Sequence, residues 1–428
     1  MENKDGINTK NGIGSLLQLE AVSTMEKYYL YEIHKEIDGE DEDNTIEIST
    51  QVDCSRMFYP PSDVPKPHGI FQTSYGRHTM FDKESLIMEH MFHDFDTIIH
   101  FEIEPSMCDM VGDFMLKIVL PSLRPFSKKW TNSIAHALIE HIKIKNGDEE
   151  LVTYTGEYLQ LMFLLNTPTT KYTATCVMNG HYHTRFSCHG DAQEVYISIP
   201  FFKEVKEKYF FPLLVSNLKK LDIEIKYKPL YQLLYIDDEQ DVHIQLKTNR
   251  NNVQLSIQSE SVNYQIKLKT YCMFDGYHLH DEEKMLFMNT QSEFIFKQIS
   301  YRSFVAQRDE KTIVCNLDFK DAITDLIVIV HPIYKLMENK QFEYAPIDNF
   351  TFIFDGNVTN DFNMSASKYL YMQGFSRIPS EWVYCIPFGL RSTQLQPTGS
   401  YTFTGKQGKN ALVIHRSYTP ESTVRVYG

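Results

Sequence analysis

The chain has 428 residues, which predicts two or three domains large enough to bury sizeable cores. Its 42 lysines and arginines are outnumbered by 56 aspartates and glutamates. The resulting net charge of -14 argues against a protein whose main task is to coat nucleic acid, because phosphate binding needs clustered positive charge. Aromatic residues make up 13% of the chain and suit half-buried pleated surfaces. A β-rich fold is the first expectation.

The seven cysteines are widely spread and include no CxxC pair. This pattern argues against a disulfide framework and favours a reducing compartment. The N-terminal residues lack the charged and apolar regions of a signal peptide, and no stretch approaches the roughly 20 apolar residues that span a bilayer. We expect a soluble protein that is made and used in a cytoplasm.

The N-terminal part divides by composition. Residues 1–23 are predicted to form an N-terminal arm. Residues 32–43 are rich in acidic side chains, whose mutual repulsion predicts an exposed loop without a partner. Residues 59–67 contain several prolines and cannot lie in the middle of a sheet. We therefore predict an acidic and proline-rich insertion over about residues 32–67.

Beyond this insertion most segments read as strands. Apolar residues alternate with polar ones, or form short apolar runs, at 114–120, 195–200, 221–227, 253–258, 264–270, 326–330, 350–354, 383–387 and 411–415. Helical periodicity is limited to residues 130–140, 157–165 and 281–288. No internal repeat is visible, which disfavours solenoids and propellers. The pattern predicts an all-β protein of two tandem antiparallel sandwiches with a few short helices in the connecting loops.

One cluster has the composition of a zinc site. Cys176, His181, His183, Cys188 and His189 supply two thiols and three imidazoles within 14 residues. Their spacing matches no standard zinc motif, so we interpret the segment as a polar loop. On that interpretation, replacing His181 and His183 together with alanine leaves folding intact, because solvated side chains contribute less than ~0.5 kcal/mol.

A second cluster is similar to the metal triad of cupin enzymes. His278 and His280 are followed by Asp281, Glu282 and Glu283. In cupins a glutamate stands about four residues after the second histidine, and that position is Lys284 here. The ligand set is therefore incomplete, and a cupin-like metal enzyme or a glycan-binding jelly roll is kept only as an alternative.

No other pattern has the form of a catalytic or cofactor site. The sequence contains no GxSxG elbow, Walker loop or GxGxxG fingerprint. We predict no catalytic residue, no metal site, no cofactor and no enzymatic activity.

Three glycosylation sequons begin at Asn349, Asn357 and Asn363. The cysteine pattern disfavours passage through a secretory compartment, so we interpret them as chance occurrences in a polar loop.

Several segments, in order, resemble the major capsid proteins of nucleocytoplasmic large DNA viruses. They are GSLLQLEA at 14–21, FQTSYGRHTMF at 71–81, WTNSIAHALI at 130–139 with IKIKNG at 142–147 and GEYL at 156–159, IPFF at 199–202 with FPLL at 211–214, DGYHLHDEEKMLF at 275–287, and QPTGSYTF at 396–403. The departures include Ala135 in place of a glycine. The chain also ends at Gly428, where the family usually continues through a last strand, so that strand is expected to be shortened or the chain incomplete.

The resemblance implies two tandem jelly rolls. Because Glu282, Glu283 and Phe287 interrupt the alternation of apolar and polar residues, we place the two jelly rolls at residues 24–287 and 292–428, with a short helical link at 281–288. It further implies a structural protein whose homotrimers form pseudo-hexagonal capsomers of an icosahedral shell. The implied partners are neighbouring capsomers and minor capsid or penton proteins. Contact with an inner viral membrane would be indirect, and direct nucleic-acid contact is not expected. The implied location is the virion, assembled in a host cytoplasm. A scaffold or minor capsid protein of the same fold is the alternative.

Overall fold

The computed structural model describes residues 81–123, 130–181, 193–201, 210–215, 219–234, 246–249, 252–257, 260–264, 267–289, 297–354, 356–363, 375–379, 381–390, 397–403 and 410–428. The predicted arm, the predicted insertion and the predicted start of the first jelly roll lie outside these ranges. Residues 81–428 form one compact unit. Among the helices that these ranges contain, none is long and apolar enough to cross a membrane.

The first half of this unit contains twelve strands and four helices in the described ranges. In chain order they are β1 (Phe81–His93), β2 (Ile98–Ile103), β3 (Met110–Leu120), α1 (Ile134–Leu138), β4 (Ile139–Asn146), β5 (Glu149–Thr155), α2 (Gly156–Asn166), α3 (Thr169–Asn179), β6 (Gln193–Ile199), β7 (Phe211–Pro212), β8 (Leu221–Tyr227), β9 (Leu246–Asn249), β10 (Asn252–Ile257), β11 (Glu260–Tyr264), β12 (Leu268–Leu279) and α4 (Asp281–Asn289). Two short 3-10 turns lie at Leu213–Val215 and Leu230–Gln232.

The second half continues the series with ten described strands and one helix. They are β13 (Tyr301–Ala306), β14 (Thr312–Asn316), β15 (Ala322–Ile323), β16 (Asp325–Pro332), α5 (Ile333–Met337), β17 (Asn349–Phe354), β18 (Asn357–Asn363), β19 (Val383–Pro387), β20 (Tyr401–Thr402), β21 (Ala411–His415) and β22 (Ser422–Tyr427).

The longer strands of each half form two antiparallel four-stranded sheets. Sheet A has the order β1-β12-β3-β6, with β7 paired to β3, and sheet B has the order β2-β8-β4-β5. Sheet C has the order β13-β22-β16-β19, and sheet D has the order β14-β21-β17-β18. We call sheets A and B the first sandwich and sheets C and D the second sandwich. The remaining strands pair in the small sheets β9-β10-β11 and β15-β20.

The two sandwiches have the same topology. If the eight main strands of each half are counted in chain order, sheets A and C both join the first, eighth, third and sixth strands. Sheets B and D both join the second, seventh, fourth and fifth. This is the strand order of a jelly roll, and it occurs twice. The predicted all-β fold of two tandem jelly rolls is confirmed.

Strand patterning explains where the cores lie. In β8, Leu221, Ile223 and Ile225 are fully buried while the alternate residues point outward, as the period of two predicts. β16 differs, because seven of its eight residues are buried. Leu326 and Val328 enter the core of the second sandwich, whereas Ile327 and Ile329 join the larger core of the first. A strand covered on both faces reads as a continuous apolar run.

Most predicted elements are confirmed, although several observed strands and the helices α3 and α5 were not predicted. The nine predicted strands all overlap observed strands, although 264–270 contains the end of β11 and the start of β12. The helical link predicted at 281–288 is α4. Helix α3 was not predicted, because its sequence is mostly polar and small and shows little apolar periodicity. The boundaries at residues 287 and 292 stay predictions, and no described strand of one half pairs with a strand of the other.

Candidate functional site at the junction of the two sandwiches

The outward face of sheet C packs against the first sandwich. Val383, Cys385 and Tyr427 are buried in the same core cluster as Leu161 and Leu165 of α2. The ring of Tyr158, also on α2, lies 5.9 Å from the ring of Tyr427. Apolar burial of this kind supplies the main favourable free energy of docking, and it requires polar groups at its edge to be paired.

A buried ion pair crosses this junction. Glu157, in the first turn of α2, accepts hydrogen bonds from Arg425, at 2.5 Å, and from the Tyr427 hydroxyl. α2 begins at Gly156, where a Cβ atom would lie 2.2 Å from the backbone oxygen of His136 in α1. The glycine thus lets α2 begin close to α1, and the next residue, Glu157, bonds the helix to β22.

The Glu157 carboxylate also raises the pKa values of Arg425 and Tyr427. Burial alone lowers the pKa of Arg425, but the Glu157 carboxylate outweighs this effect and raises the pKa above its usual value. Burial, together with the same carboxylate, raises the pKa of Tyr427, which stays a neutral donor. Nearby, burial lowers the pKa of Lys228 to about 8, and its ammonium donates to Gln341 of the second sandwich at 2.7 Å.

A second contact is made by the turn after α5. The Asn339 side chain donates to the backbone oxygens of Tyr231 and Leu234 at 2.8 and 2.7 Å. Its own backbone oxygen accepts from Thr131 at 2.6 Å. Asn339 has φ 60°, in the left-handed region that asparagine tolerates better than most residues. This one residue of the second sandwich thus joins two separate loops of the first.

A third contact is centred on His181. Its Nδ1 lies 2.5 Å from the Ser133 hydroxyl and its Nε2 lies 3.5 Å from Glu381, which belongs to the second sandwich. Arg377, which lies 3.6 Å from Glu381, covers the ring of Tyr172 at 3.5 Å from the centroid. Residues 133 and 181 of the first sandwich are thereby joined to the segment before β19.

Burial favours the neutral form of His181 in this cluster. Desolvation lowers the pKa of His181 and outweighs the neighbouring carboxylate. For Glu381, burial raises the pKa, but the hydrogen bond from His181 and the charge of Arg377 bring it below its usual range. A serine, a histidine and a carboxylate in sequence form a relay known from hydrolases. Such a relay needs a substrate at the serine hydroxyl, and Ser133 is 0% exposed. The arrangement is suited to holding two domains together.

The prediction that His181 lies in a solvated loop is wrong. His181 is 1% exposed, and Cys176 is a buried residue of α3 rather than part of a loop. The sequence pattern failed because the partners of His181 are distant in sequence. His183, Cys188 and His189 lie outside the described residues. Within the described ranges, no group of three or more His, Cys, Asp or Glu side chains is placed to hold a metal ion.

Replacing His181 alone with alanine is expected to lower the free energy of unfolding by about 1 to 3 kcal/mol, because the Ser133 hydroxyl and the Glu381 carboxylate lose a buried partner. Urea denaturation of the purified protein measures the change. Alanine at the exposed His280 is the control and should change stability by less than ~0.5 kcal/mol. Equal stability of the two variants would contradict the assigned role.

The side chains of the second histidine cluster, His278 to Glu283, do not come together at one site. His278 lies on β12, 3.6 Å from Glu84 of β1, while His280 is exposed before α4. Glu283 is buried in the first turn of α4. These side chains have different neighbours, so the described geometry does not support a cupin-like set of metal ligands.

The sequons lie on strands, which corrects the predicted loop. Asn349 begins β17 and Asn357 begins β18, while Asn363 ends β18. Asn349 and Asn363 are register partners across the hairpin.

The junction residues were missed as functional residues by sequence reasoning. Three of them, Thr131, Ser133 and Glu157, lie in the segments WTNSIAHALI and GEYL that carry the resemblance. Those segments identified a resemblance, but a single sequence does not say that their polar residues bind a partner domain more than 200 residues away.

The comparison with protein families decides what this architecture is. The family model described as the major capsid protein N-terminus matches residues 69–268. That stretch, which is 200 of the 428 residues, is similar to the major capsid protein family. The match runs from before β1 to the first residue of β12, and so includes every main strand of the first sandwich except β12. The resemblance to major capsid proteins inferred from the motifs is confirmed. Among curated protein sequences, none matches this chain.

Solved structures extend the likeness to both sandwiches. A chain of the PBCV-1 virus capsid has a TM-score of 0.66 at 13% identity, covering 84% of this chain and 95% of its own. The Faustovirus major capsid protein gives 0.59 at 9% identity, covering 87% and 95%. The STIV major capsid protein gives 0.51 at 9% identity, covering 81% and 95%. At these identities the likeness establishes the fold.

Proposed function

We propose that this protein is the major capsid protein of a large DNA virus and that three copies form a capsomer of pseudo-hexagonal outline. The observation that carries the proposal is the duplicated jelly roll within a chain whose first half matches the capsid family. Two sandwiches in one chain supply two of six positions around a pseudo-hexagon. Closing the ring then requires three chains joined by a cyclic, head-to-tail contact.

The junction supports this role. A shell subunit must keep its two sandwiches in a constant orientation, because each has to meet a different neighbour. Apolar packing with Tyr427, the ion pair of Glu157, the turn at Asn339 and the cluster around His181 hold the two sandwiches at separate points. Contacts at several points resist rotation better than a single patch of the same area.

A shell subunit has further partners and a defined location. Such capsomers tile an icosahedral capsid and contact neighbouring capsomers together with minor capsid or penton proteins. The protein then resides in the virion and is assembled in the host cytoplasm. The net charge of -14 argues against direct binding to nucleic acid, and we infer no catalytic activity.

Static light scattering of the purified full chain tests the trimer. We expect a mass of about three times 50.1 kDa at micromolar concentration, persisting on dilution, because permanent subunit contacts bury more than ~2,000 Å². A folded monomer under native conditions would contradict the capsomer.

The copy number in purified particles tests the major role. Quantitative mass spectrometry should find this chain as the most abundant protein of the shell. Few or no copies in mature particles would instead identify a minor capsid protein or a scaffold of the same fold.

A further inference from the structure

A serine and a glutamine side chain meet at one histidine inside the first sandwich. The Ser133 hydroxyl lies 2.5 Å from Nδ1 of His181, and the side-chain amide nitrogen of Gln160 lies 3.4 Å from the same ring nitrogen. Ser133 and Gln160 are both 0% exposed. A substrate from solution cannot reach the buried hydroxyl, but the carboxamide of Gln160 is already beside it. One imidazole nitrogen therefore contacts both a nucleophile and the leaving group of an amide.

A second histidine polarises the carbonyl end of the Gln160 side chain. Oε1 of Gln160 accepts a hydrogen bond from Nδ1 of His136 at 2.7 Å. Burial lowers the pKa of His136 to about 4, so its ring is neutral at physiological pH and donates from the one nitrogen that carries a proton. A donor fixed on a carbonyl oxygen stabilises the negative charge that develops there when a nucleophile attacks the carbon.

The second sandwich orients the His181 ring. Nε2 of His181 lies 3.5 Å from Glu381, which favours a proton on Nε2 and leaves Nδ1 as an acceptor for the serine proton. Burial lowers the pKa of His181, so the ring is neutral and able to accept that proton.

The backbone of Ser133 is also held in an uncommon conformation. Its φ of 53° lies in the left-handed region, which serine seldom adopts. The Ser133 N–H donates to the backbone oxygen of Gly180 at 2.9 Å, and Gly180 directly precedes His181. Such strain persists only where the surrounding structure enforces it, and here it fixes the hydroxyl against the imidazole.

We propose that Ser133 and Gln160 become joined by an intramolecular ester bond. The serine oxygen attacks Cδ of Gln160 while Nδ1 of His181 takes the hydroxyl proton. The bond between Cδ and Nε2 of Gln160 then breaks, and His181 returns the proton to this nitrogen, which leaves as ammonia. A hydroxyl and a carboxamide thus become an ester and ammonia, and no oxidant, reductant or other reactant is needed. The fixed positions of the two groups supply the proximity that the reaction requires.

The ester joins the start of α1 to α2 beside the junction of the sandwiches. Ser133 directly precedes α1, and Gln160 lies in α2 one turn after Glu157. Because Glu381 belongs to the second sandwich, the ring of His181 is fully oriented only once the two sandwiches have docked. Burial then excludes the water that would hydrolyse the ester. The reaction occurs once in each chain and acts on no other molecule, so it is compatible with a structural role.

Mass spectrometry of the denatured full chain tests the ester. We expect the wild type to weigh less than its sequence by one molecule of ammonia. Tryptic digestion should give residues 130–143 joined to residues 146–171 through Ser133 and Gln160. Mild alkali should separate the two peptides and leave a glutamate side chain at position 160, because hydroxide cleaves an ester faster than an amide.

Four variants test the assigned roles. Ser133→Ala removes the nucleophile and His181→Gln removes the base, so both should keep the full sequence mass. Ser422→Ala is the matched control and should still form the ester, because Ser422 is also 0% exposed but bonds to Arg416. In chains made by cell-free synthesis and sampled over time, Glu381→Gln should slow the release of ammonia at least ~10-fold, because the ring loses its orienting carboxylate. An unchanged rate would overturn the role of Glu381.

The proposal is overturned if the folded wild type has its full sequence mass. Loss of ammonia that persists in Ser133→Ala would also overturn it. So would a loss that maps to an asparagine–glycine pair such as Asn146 and Gly147, where a succinimide causes the same change of mass. If a variant fails to fold, the peptide map of the wild type decides by itself. Every reacting group belongs to one chain, so these outcomes do not depend on the trimer.

Discussion

Replacing Glu157 with glutamine is expected to lower the free energy of unfolding by about 3 kcal/mol, because it leaves the Arg425 guanidinium without its anion at the junction of the sandwiches. Glu157 is 8% exposed, so water does not readily replace the lost charge. The substitution also removes a negative charge from the first turn of α2, which the helix dipole favours by a further ~0.5 kcal/mol. The side-chain volume hardly changes, so the effect reports charge and hydrogen bonding.

The matched control is Glu102→Gln. Glu102 forms an ion pair with Lys220 at the same distance of 2.5 Å, but both side chains are about half exposed. An exposed pair of this kind contributes less than ~1 kcal/mol. Urea denaturation followed by fluorescence and by circular dichroism gives both values. Similar losses in the two variants would show that burial at the junction does not strengthen the Glu157 pair.

Acidification below about pH 6.5 is expected to destabilise the protein well before the carboxylates titrate. Burial lowers the pKa of His93, His136 and His331 to about 4, and it lowers the pKa of His181 as well. In the unfolded chain these residues bind a proton near pH 6.5. Between pH 6.5 and about 4 the unfolded chain therefore binds more protons than the folded one, and stability falls as the pH falls.

The size of this effect follows from proton linkage. Each such histidine contributes up to about 1.4 kcal/mol of lost stability per pH unit in this window. The sum for four of them reaches several kcal/mol at pH 5. Above pH 7 the folded and unfolded chains both carry neutral histidines, so no dependence on pH from this source is expected there.

Denaturation curves between pH 8 and pH 5 measure the effect. His136→Gln should reduce the slope by about one proton, because His136 is buried and its Nδ1 lies 2.7 Å from Gln160. His280→Gln, at an exposed position before α4, is the control for the substitution itself. Constant stability of the wild type across this range would refute the neutral, buried state of the four histidines.

Much of the local structure could be predicted from the sequence. The alternation in residues 221–227 predicted β8, and the break of that alternation at Glu282 and Glu283 predicted α4. These predictions succeed because a strand or a helix with one buried face needs apolar residues at a fixed period, which is a property of the segment itself. The order of the motifs from residue 14 to residue 403 also indicated the family.

The site was less predictable. His181 was interpreted as a loop residue because its neighbours in sequence are polar. Nothing in the sequence pattern identifies Ser133 and Glu381 as its partners. The same limit applies to Glu157 and Arg425, which are separated by 268 residues. Spacing identifies a local motif, but it cannot pair two residues whose distance depends on how two domains pack.

The sequence by itself therefore determined the elements, the all-β class and the duplication of a sandwich, because each of these depends on the periodic burial of one face. The tertiary structure decided which surfaces those faces meet. Met115 and Ile327 both lie on the outward side of their sheets, yet only Ile327 is buried. That difference arises from the docking of one sandwich on the other, which buries Ile327 of sheet C and leaves Met115 of sheet A partly exposed.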